Sequence, residues 1–263
     1  MSTLLFPLIG PMQAWGISSN FVIRDTLKEP SKSGVIGLIA SAMGLTKDSD
    51  LSEFRSLRFG VRVDKEGNLL VDFHTAKNVL NAEGSILKNA VISNRYYLAD
   101  ARFLIGLEGN NNLLERIHQA LKSPKWLLFL GRKSFPLAEP AWFPADIPSI
   151  VNETLEDALT KFPWIGFDLR YRDQNLKVLS EFENFQLVES FYEEQNRRYP
   201  SRLRLLLERE DGFITNQDQP INYKDRLFTR RKVVSKLINL PTLSLIPKEV
   251  NDVSFKNSDQ SIL

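Results

Sequence analysis

Cationic and hydroxyl side chains gather near the beginning of the chain, in a polar loop and helix entrance within residues 10–44. Arg24 lies in the loop, and Lys32 stands between two serines just before an apolar run. Ser31 or Ser33 can cap the first turn of the helix that this run predicts. The unpaired N–H groups of a first turn, beside a lysine, favour binding of a phosphate group. The stretch therefore predicts a phosphate or RNA contact by Arg24, Lys32 and Ser33.

The predicted helix contains Gly34 and Gly37 and ends at Gly44, a residue type that is common just after the last helical turn. An interior glycine costs up to about 1 kcal/mol relative to alanine, so the helix backbone is expected to approach another group closely. Either packing against a sheet or contact with a ligand would explain these glycines.

A second set of residues has the chemistry for RNA cleavage without a metal ion. Such cleavage needs a base for the 2′-hydroxyl, an acid for the leaving oxygen and a cation for the charged intermediate. His74, Tyr96 or Tyr97, and Lys32 or Lys133 could supply these three parts. His74 has an alternative role as a hydrogen-bonded structural histidine at a strand end.

The composition excludes several classes of site. With no cysteine and two histidines in 263 residues, the chain can form neither a disulfide framework nor a thiolate or multi-histidine metal site. The glycine loops and paired carboxylates of common enzymes are absent, and no cofactor is expected. The formal charge of +2 indicates a near-neutral body on which local basic clusters could form an RNA track. The first apolar run contains Pro7 and is too short to span a bilayer, which predicts a cytoplasmic protein without a membrane contact.

Alternation of apolar and polar residues predicts the strands that must position these side chains. Residues 3–9 are expected to form an edge or bulged strand because Pro7 lies within them. Residues 57–64 and 69–75 are predicted to pair as a hairpin across a short turn. Residues 97–108 are predicted to form one long strand.

The next elements complete a recognisable order. Residues 113–121 are predicted to form an amphipathic helix, and residues 126–130 an apolar strand that presents Arg132 and Lys133 at its end. Strand, helix, a hairpin of two strands, a further strand, helix and strand is close to the order of the ferredoxin-like fold of RNA-recognition domains. The fold class is therefore expected to be α+β, with this domain occupying residues 1–140.

A proline-rich segment over residues 135–148 can be neither regular helix nor central strand, and it marks a boundary. The elements predicted after it are a helix at 150–162, a hairpin of strands at 164–171 and 177–183, and a closing strand at 226–234. These strands either form a smaller β-rich part over residues 141–247, which we favour, or complete the first sheet. Residues 248–263 are polar and are expected to be a flexible tail.

Five short motifs occur in order within the first 140 residues. They are G-P-M-Q-A-W-G from Gly10, R-D-T-L-K-E-P-S-K-S-G from Arg24, F-H-T from Phe73, R-Y-Y-L-A-D-A from Arg95 and L-F-L-G-R-K-S from Leu128. Together they resemble CasD-type subunits of the type I-E CRISPR Cascade complex, a RAMP family that binds the 5′ handle of the guide RNA (crRNA). Beyond residue 142, only the basic run from Arg226 resembles the family.

The resemblance implies that residues 76–95 form a thumb insertion that closes over the guide RNA, with Lys77 and Arg95 at its base or along it. Without the resemblance, this polar segment would be predicted to be a mobile loop, because it has no firm hydrophobic period.

The resemblance also implies how individual residues contact RNA. The residues expected to hold handle phosphates are Arg24, Lys32, Ser33, Arg132 and Lys133. The residues expected to contact base edges or 2′-hydroxyls are Gln13, His74 and Arg95. Trp15 either wedges the loop after the first strand or forms a stacking platform. One of Tyr96 and Tyr97 is expected to be core and the other free to stack on a base; we assign Tyr97 to the RNA-binding set.

A subunit of this kind is non-catalytic. It would cap one end of a filament of CasC-type backbone subunits, contact the CasA-type large subunit, and reach target DNA only through the complex in antiviral defence. In the type I-E arrangement a separate subunit cuts the precursor, whereas in a related subtype the handle-binding subunit is itself the processing nuclease. The alternatives are therefore a metal-independent endoribonuclease that processes precursor guide RNA, and a purely structural subunit that never touches RNA.

Overall fold

The computed structural model describes residues 1–19, 22–166 and 201–239. This part of the chain is a mixed α+β structure in which strands predominate. The strands are β1 Ser2–Ile9, β2 Met12–Gln13, β3 Ile23–Arg24, β4 Arg58–Lys65, β5 Asn68–Ala76, β6 Val91–Ala99, β7 Arg102–Gly109, β8 Ile150–Val151, β9 Arg202–Glu208, β10 Ile214–Asn222 and β11 Leu227–Asn239. The helices are α1 Lys32–Met43, α2 Ser52–Arg55, α3 Asn111–Lys122 and α4 Leu155–Lys161.

Seven strands form the main sheet, in the order β10-β11-β9-β4-β7-β1-β8, and every neighbouring pair is antiparallel. Both faces of this sheet are covered. On one face, Leu4 and Phe6 of β1 pack with the buried sides of α1 and α3. On the other face, Leu5 packs in a second apolar cluster that includes Leu155 and Leu159 of α4. Burial on both faces explains why β1 is a continuous apolar run rather than an alternating one.

Pro7 lies on the edge side of β1, as predicted. Strand β8 pairs with β1 only at Thr3 and Leu4, and the N–H of Leu5 donates to the carbonyl of Ser149 on that same side (2.7 Å). Because alternate residues direct their N–H groups to the same side of a strand, the missing N–H of Pro7 faces the open edge beyond β8. No ladder hydrogen bond between β1 and β7 is therefore lost.

A smaller second sheet is formed by β2, β3, β5 and β6. Strand β5 pairs antiparallel with β6 along its whole length, from Asn68 opposite Ala99 to Ala76 opposite Val91. The other edge of β6 is shared by β2, which pairs at Leu98 and Ala99, and by β3, which pairs in parallel at Asn94 and Arg95. Most residues of β5 are exposed, and residues 77–90 connect β5 to β6 at the end farthest from β2.

The helix predictions are confirmed where capping residues next to the helix set its ends. Helix α1 begins after Ser31, whose hydroxyl accepts the N–H of Gly34 at 3.2 Å, and it ends at Gly44 with a φ of 74°. Helix α3 spans the predicted residues 113–121, with Asn110 as its N-cap. The helix predicted at 150–162 is shorter, because Ile150–Val151 pairs with β1 and the helix starts after Thr154.

Several strand predictions are corrected. Residues 57–64 and 69–75 do form strands, but β4 lies in the main sheet and β5 in the second sheet, so the predicted hairpin does not form. The strand predicted at 97–108 is two strands, β6 and β7, which turn at Asp100 with a φ of 57°. Residues 126–130 contribute only an isolated bridge between Phe129 and Pro136, so the predicted fourth strand of the ferredoxin-like order is absent.

The last described segment, residues 201–239, extends the main sheet. Strand β9 pairs directly with β4, and β11, which covers the predicted closing strand, pairs with β9 and β10. The strands described within residues 141–247 belong to the main sheet, as in the second of the two arrangements considered. The hairpin predicted within 164–183 and the tail at 248–263 lie outside the described residues, apart from residues 164–166.

The described residues also bear on membrane association. Among them, no helix is both long enough and apolar enough to cross a bilayer.

Candidate nucleic-acid interface

The entrance of α1 is closed to phosphate in this structure, which corrects the prediction for Lys32. Lys32 is fully buried, and its ammonium group donates to Glu208 Oε2 (2.8 Å) and to the carbonyl of Leu57 (2.6 Å). The backbone N–H of Lys32 donates to Asp218 Oδ2 at 2.7 Å. The helix N-terminus therefore already has an anion, the Asp218 carboxylate, and Lys32 neutralises Glu208.

Burial and the ion pair with Glu208 shift the pKa of Lys32 in opposite directions. Removal from water lowers the pKa of Lys32, and the Glu208 carboxylate raises it. Ser33 is half-buried, and its carbonyl accepts the hydroxyl of Tyr223 at 2.5 Å. Neither residue of this helix entrance is placed to meet a large anion from solvent.

Gln13 and Trp15 are structural as well. Gln13 is fully buried and donates to the carbonyl of Ala101 at 2.9 Å, so it does not face a base edge. Trp15 is 1% exposed, and its indole N–H donates to Gln13 Oε1 at 3.2 Å. A Cβ on Gly34 would lie 2.8 Å from the indole ring, so this glycine admits Trp15 against α1. Of the two roles predicted for Trp15, the structure shows the wedge.

The second sheet has two chemically different faces, because successive strand residues point to opposite sides. Paired residues share a face, so the register of β3, β5 and β6 assigns each side chain. We call the first the polar face; its charged and hydrogen-bonding residues include Arg24, Asp72, His74, Ser93 and Arg95, and Leu70 and Tyr97 also lie on it. We call the second the uncharged face; its residues include Ile23, Leu69, Val71, Phe73, Ile92, Asn94 and Tyr96.

Arg24 and Arg95 form the centre of the polar face. They are register partners on β3 and β6, which are adjacent strands about 4.8 Å apart. Arg24 is exposed and Arg95 is half-buried, with its Nε donating to Ser93 Oγ at 3.1 Å. Within residues 1–19, 22–166 and 201–239, neither arginine forms an ion pair with a carboxylate. Two neighbouring guanidinium groups without a carboxylate partner are a site for an anion.

Arg132 lies beside this pair. Its Nη2 donates to the carbonyl of Tyr96 (2.8 Å) and to that of Arg24 (3.3 Å). Burial lowers the pKa of the Arg132 guanidinium, and the charges of Arg95 and Arg24 lower it further, against opposing effects of Asp72 and Asp25. The three arginines predicted from separate parts of the sequence are therefore brought together.

The remaining predicted contacts lie around this cluster. Lys77 follows β5 and Lys133 follows Arg132, and both are exposed. Tyr97 lies on the same side of β6 as Arg95, but its ring packs against Phe135 with centroids 5.8 Å apart, so it is not a free stacking platform. His74 is half-buried opposite Ser93, and its Nδ1 has no hydrogen-bond partner among the described residues.

The cleavage machinery considered from the sequence is not assembled. Lys32 is buried in the body, and Tyr96 lies on the opposite face of the second sheet from His74. His74 and Tyr97 share a face, but the residues opposite them, Ser93 and Leu70, place them four strand positions apart, about 13 Å. The sheet therefore does not hold a base and an acid at neighbouring positions.

Two arginines of the basic clusters within residues 202–232 are neutralised within the fold. Arg231 is buried and forms a bidentate ion pair with Asp218, at 2.6 and 2.8 Å. Arg204 pairs with Glu29 at 2.7 Å and with Glu66 at 3.0 Å. These arginines hold the main sheet together and do not form an RNA track.

The uncharged face is largely exposed. Phe73 is 64% exposed, Leu69 58% and Val71 53%, and Ile23 and Ile92 are about half-exposed. The sequence pattern did not reveal this surface, since an exposed apolar strand has the same alternation as a buried one. Its absence of cations leaves it nothing to hold a phosphate, whereas contiguous exposed apolar side chains are typical of a protein-binding surface.

Comparisons with known proteins agree with the motifs. A model of the family described as CRISPR-associated protein (Cas_Cas5) matches residues 3–232. The protein of Escherichia coli (strain K12) named CRISPR system Cascade subunit CasD is 30% identical over 155 residues, which cover 53% of this chain and 69% of that protein. This similarity confirms the resemblance to CasD-type subunits.

Solved structures agree over nearly the whole chain. One described as "Crystal structure of Cas protein" has a TM-score of 0.66 and 35% sequence identity, and the match covers 90% of this chain and 95% of that chain. Another, described as "CRISPR RNA-guided surveillance complex", has a TM-score of 0.68 and 27% identity, with 91% of each chain covered. Since the family model covers most of the sequence and the fold agrees, the chain belongs to the CRISPR-associated protein (Cas_Cas5) family.

Proposed function

We propose that the chain is a CasD-type subunit of a CRISPR surveillance complex and that it binds the 5′ handle of the guide RNA across the polar face of the second sheet. The observation that carries this proposal is the Arg24 and Arg95 pair, which has no carboxylate partner among the described residues. Asp72 lies opposite Arg95 but forms no ion pair with it among the described residues, so both guanidinium groups can bind an anion, and RNA phosphates are the anions that such a subunit meets.

The proposed contacts differ from those expected from the motifs. Arg24 and Arg95 hold phosphates, with the exposed Lys77 and Lys133 available at the margins. Asp72, His74 and Ser93 are the polar-face residues able to contact base edges or 2′-hydroxyls. Lys32, Gln13 and Trp15 act behind the site by fixing α1 and the loop that leads to β3.

The proposed subunit is non-catalytic, because the residues considered for cleavage lie on different faces or too far apart. The thumb is proposed to be the β5–β6 hairpin with residues 77–90, a longer element than the predicted 76–95. We also retain the ferredoxin-like plan as our interpretation of β1, α1, β4, β7 and α3, with β8 in the position of the fourth strand.

The test uses the purified protein and a labelled precursor RNA that contains the CRISPR repeat, incubated without metal ions. The expected result is retention of the RNA through its handle, with no cleavage. Cleavage at one position in the repeat, abolished by His74→Ala, would make the chain a processing nuclease. Absence of binding, both alone and in a complex assembled with its partner subunits, would leave the purely structural role.

The uncharged face is proposed to contact the protein partners: the CasC-type backbone subunit whose filament this chain caps, beside the CasA-type large subunit. Target DNA is reached through that complex. Phosphates bind to cations, and the arginines of β3 and β6 lie on the opposite face, so an apolar protein surface is the better match for Phe73 and Val71.

A Phe73→Asp variant is expected to lower co-purification with the other subunits at least about tenfold, because a carboxylate buried at an apolar interface costs more than 1.4 kcal/mol. Phe213→Asp, at a phenylalanine that is 78% exposed and lies outside the second sheet, is the matched control and should leave assembly unchanged. The measurement is the subunit ratio in affinity-purified complex. Equal assembly by Phe73→Asp and the normal protein would remove the uncharged face from the interface.

A further inference from the structure

Arg132 donates both N–H groups of its Nη2 to the protein. Its Nη2 bridges the carbonyls of Tyr96 and Arg24, at 2.8 and 3.3 Å, and its guanidinium carbon lies 5.3 Å from the centre of the Phe135 ring. A guanidinium group that spans two carbonyls and stacks on a ring is fixed in direction. Arg132 is half-buried, whereas Lys133, which follows it, is exposed.

The loop that carries Arg132 is also fixed. Gly131 has a φ of +87°, and a Cβ there would lie 1.7 Å from the carbonyl oxygen of Ala14, so only glycine fits. The N–H of Phe135 donates to the carbonyl of Arg132 (2.9 Å), and that of Leu130 to the carbonyl of Phe135 (2.8 Å). Arg132 is thus held from behind by the loop after β1 and by its own turn.

Strand β3 needs such a support. It has two residues, and its ladder with β6 consists of two pairs, Ile23 with Asn94 and Arg24 with Arg95. The next carbonyl on β6 is that of Tyr96, which accepts from Arg132 instead of continuing the ladder. Arg132 therefore joins β3 to β6 at the point where their own pairing stops.

We propose that Arg132 is a positioning residue: it clamps β3 to β6 and thereby holds Arg24 beside Arg95, while the phosphate is bound by those two arginines and not by Arg132. This inference rests on the proposed function. The positive charges of Arg95 and Arg24 also lower the pKa of Arg132, which shows that the three guanidinium groups repel one another. A phosphate bound between Arg24 and Arg95 would reduce this repulsion.

A double-mutant cycle separates positioning from direct contact. Arg132→Met removes the donors and the charge but keeps an apolar stem against Phe135. Its effect on the affinity for labelled handle RNA is measured in the normal protein and in the Arg24→Ala, Arg95→Ala protein. We expect a loss of about tenfold in the first background and less than about twofold in the second, because Arg132 acts only through the two arginines. A tenfold loss in both backgrounds would show that Arg132 holds a phosphate of its own.

Hydrogen exchange of the RNA-free protein supplies a readout that does not depend on RNA. Arg132→Met, and Arg132→Lys as a milder second variant, should speed exchange at the amides of residues 22–27 and 94–97, while Lys133→Met should not. Unchanged exchange in both Arg132 variants would overturn the clamp even if RNA binding falls. If the normal protein binds no RNA in any setting, the proposed function fails, and the exchange result still decides whether Arg132 clamps β3.

Discussion

Replacing Arg24 and Arg95 together with alanine is expected to lower the affinity for handle RNA by about 100-fold at a fixed moderate salt concentration. Each charge-assisted hydrogen bond to a phosphate contributes roughly 1.5 kcal/mol, which is about tenfold in affinity per contact. The fold should be unaffected, because neither side chain is fully buried or paired with a carboxylate among the described residues. Filter binding or fluorescence anisotropy with a labelled handle oligonucleotide measures the change.

The matched control removes the same amount of charge elsewhere. Arg116 pairs with Glu53 and Arg209 with Asp211, and all four side chains are substantially exposed. The Arg116→Ala, Arg209→Ala protein should bind RNA within about threefold of the normal protein, since distant exposed charges are largely screened. An equal loss in both double variants would mean that RNA senses only net charge and that the polar face is not a site.

Arg62→Met is expected to lower the free energy of unfolding by about 3–5 kcal/mol, because it leaves a buried carboxylate without its partner. Arg62 and Asp64 are both almost fully buried and form a bidentate pair at 2.6 and 2.7 Å. The remaining donors of Arg62 reach the carbonyls of Leu159 (2.7 Å), Phe162 (2.5 Å) and Pro163 (2.8 Å), at the end of α4. The substitution therefore frees the C-terminal end of α4 from β4 as well.

Urea unfolding followed by circular dichroism measures this loss, and the melting temperature should fall by roughly 10 °C for a chain of this size. Arg116→Ala serves as the comparison, because exposed ion pairs contribute about 0–1 kcal/mol. A loss below about 1 kcal/mol for Arg62→Met would show that the pair is not buried in solution as it is in this structure.

Local signals predicted the helices well and strand pairing poorly. The caps at Ser31 and Gly44 lie next to the helix they delimit, so the sequence around α1 contains everything that sets its bounds. The bounds of β4 and β5 also follow from alternation. The pairing partners of these strands do not follow from alternation. Strand β4 pairs with β9, more than 130 residues later, and the short turn between β4 and β5 does not indicate that the two strands belong to different sheets.

The same distinction explains the site. Arg24, Arg95 and Arg132 were predicted individually from motifs, and the structure brings them together through the pairing of β3 with β6. Lys32 was assigned to phosphate because its neighbours in sequence form a helix entrance. Its partners, Glu208 and Asp218, are 176 and 186 residues away in the sequence. The burial of Lys32 therefore depends on β9 and β10, and the residues near Lys32 in the sequence do not predict it.

The most direct test of the account is the salt dependence of handle RNA binding by the normal protein and by the Arg24→Ala, Arg95→Ala protein. Each phosphate contact on single-stranded nucleic acid changes the slope of log K against log salt by about −0.7. The account predicts a steep slope for the normal protein and a slope shallower by about 1.4 for the variant. Identical slopes in the two proteins would contradict phosphate binding by the polar face.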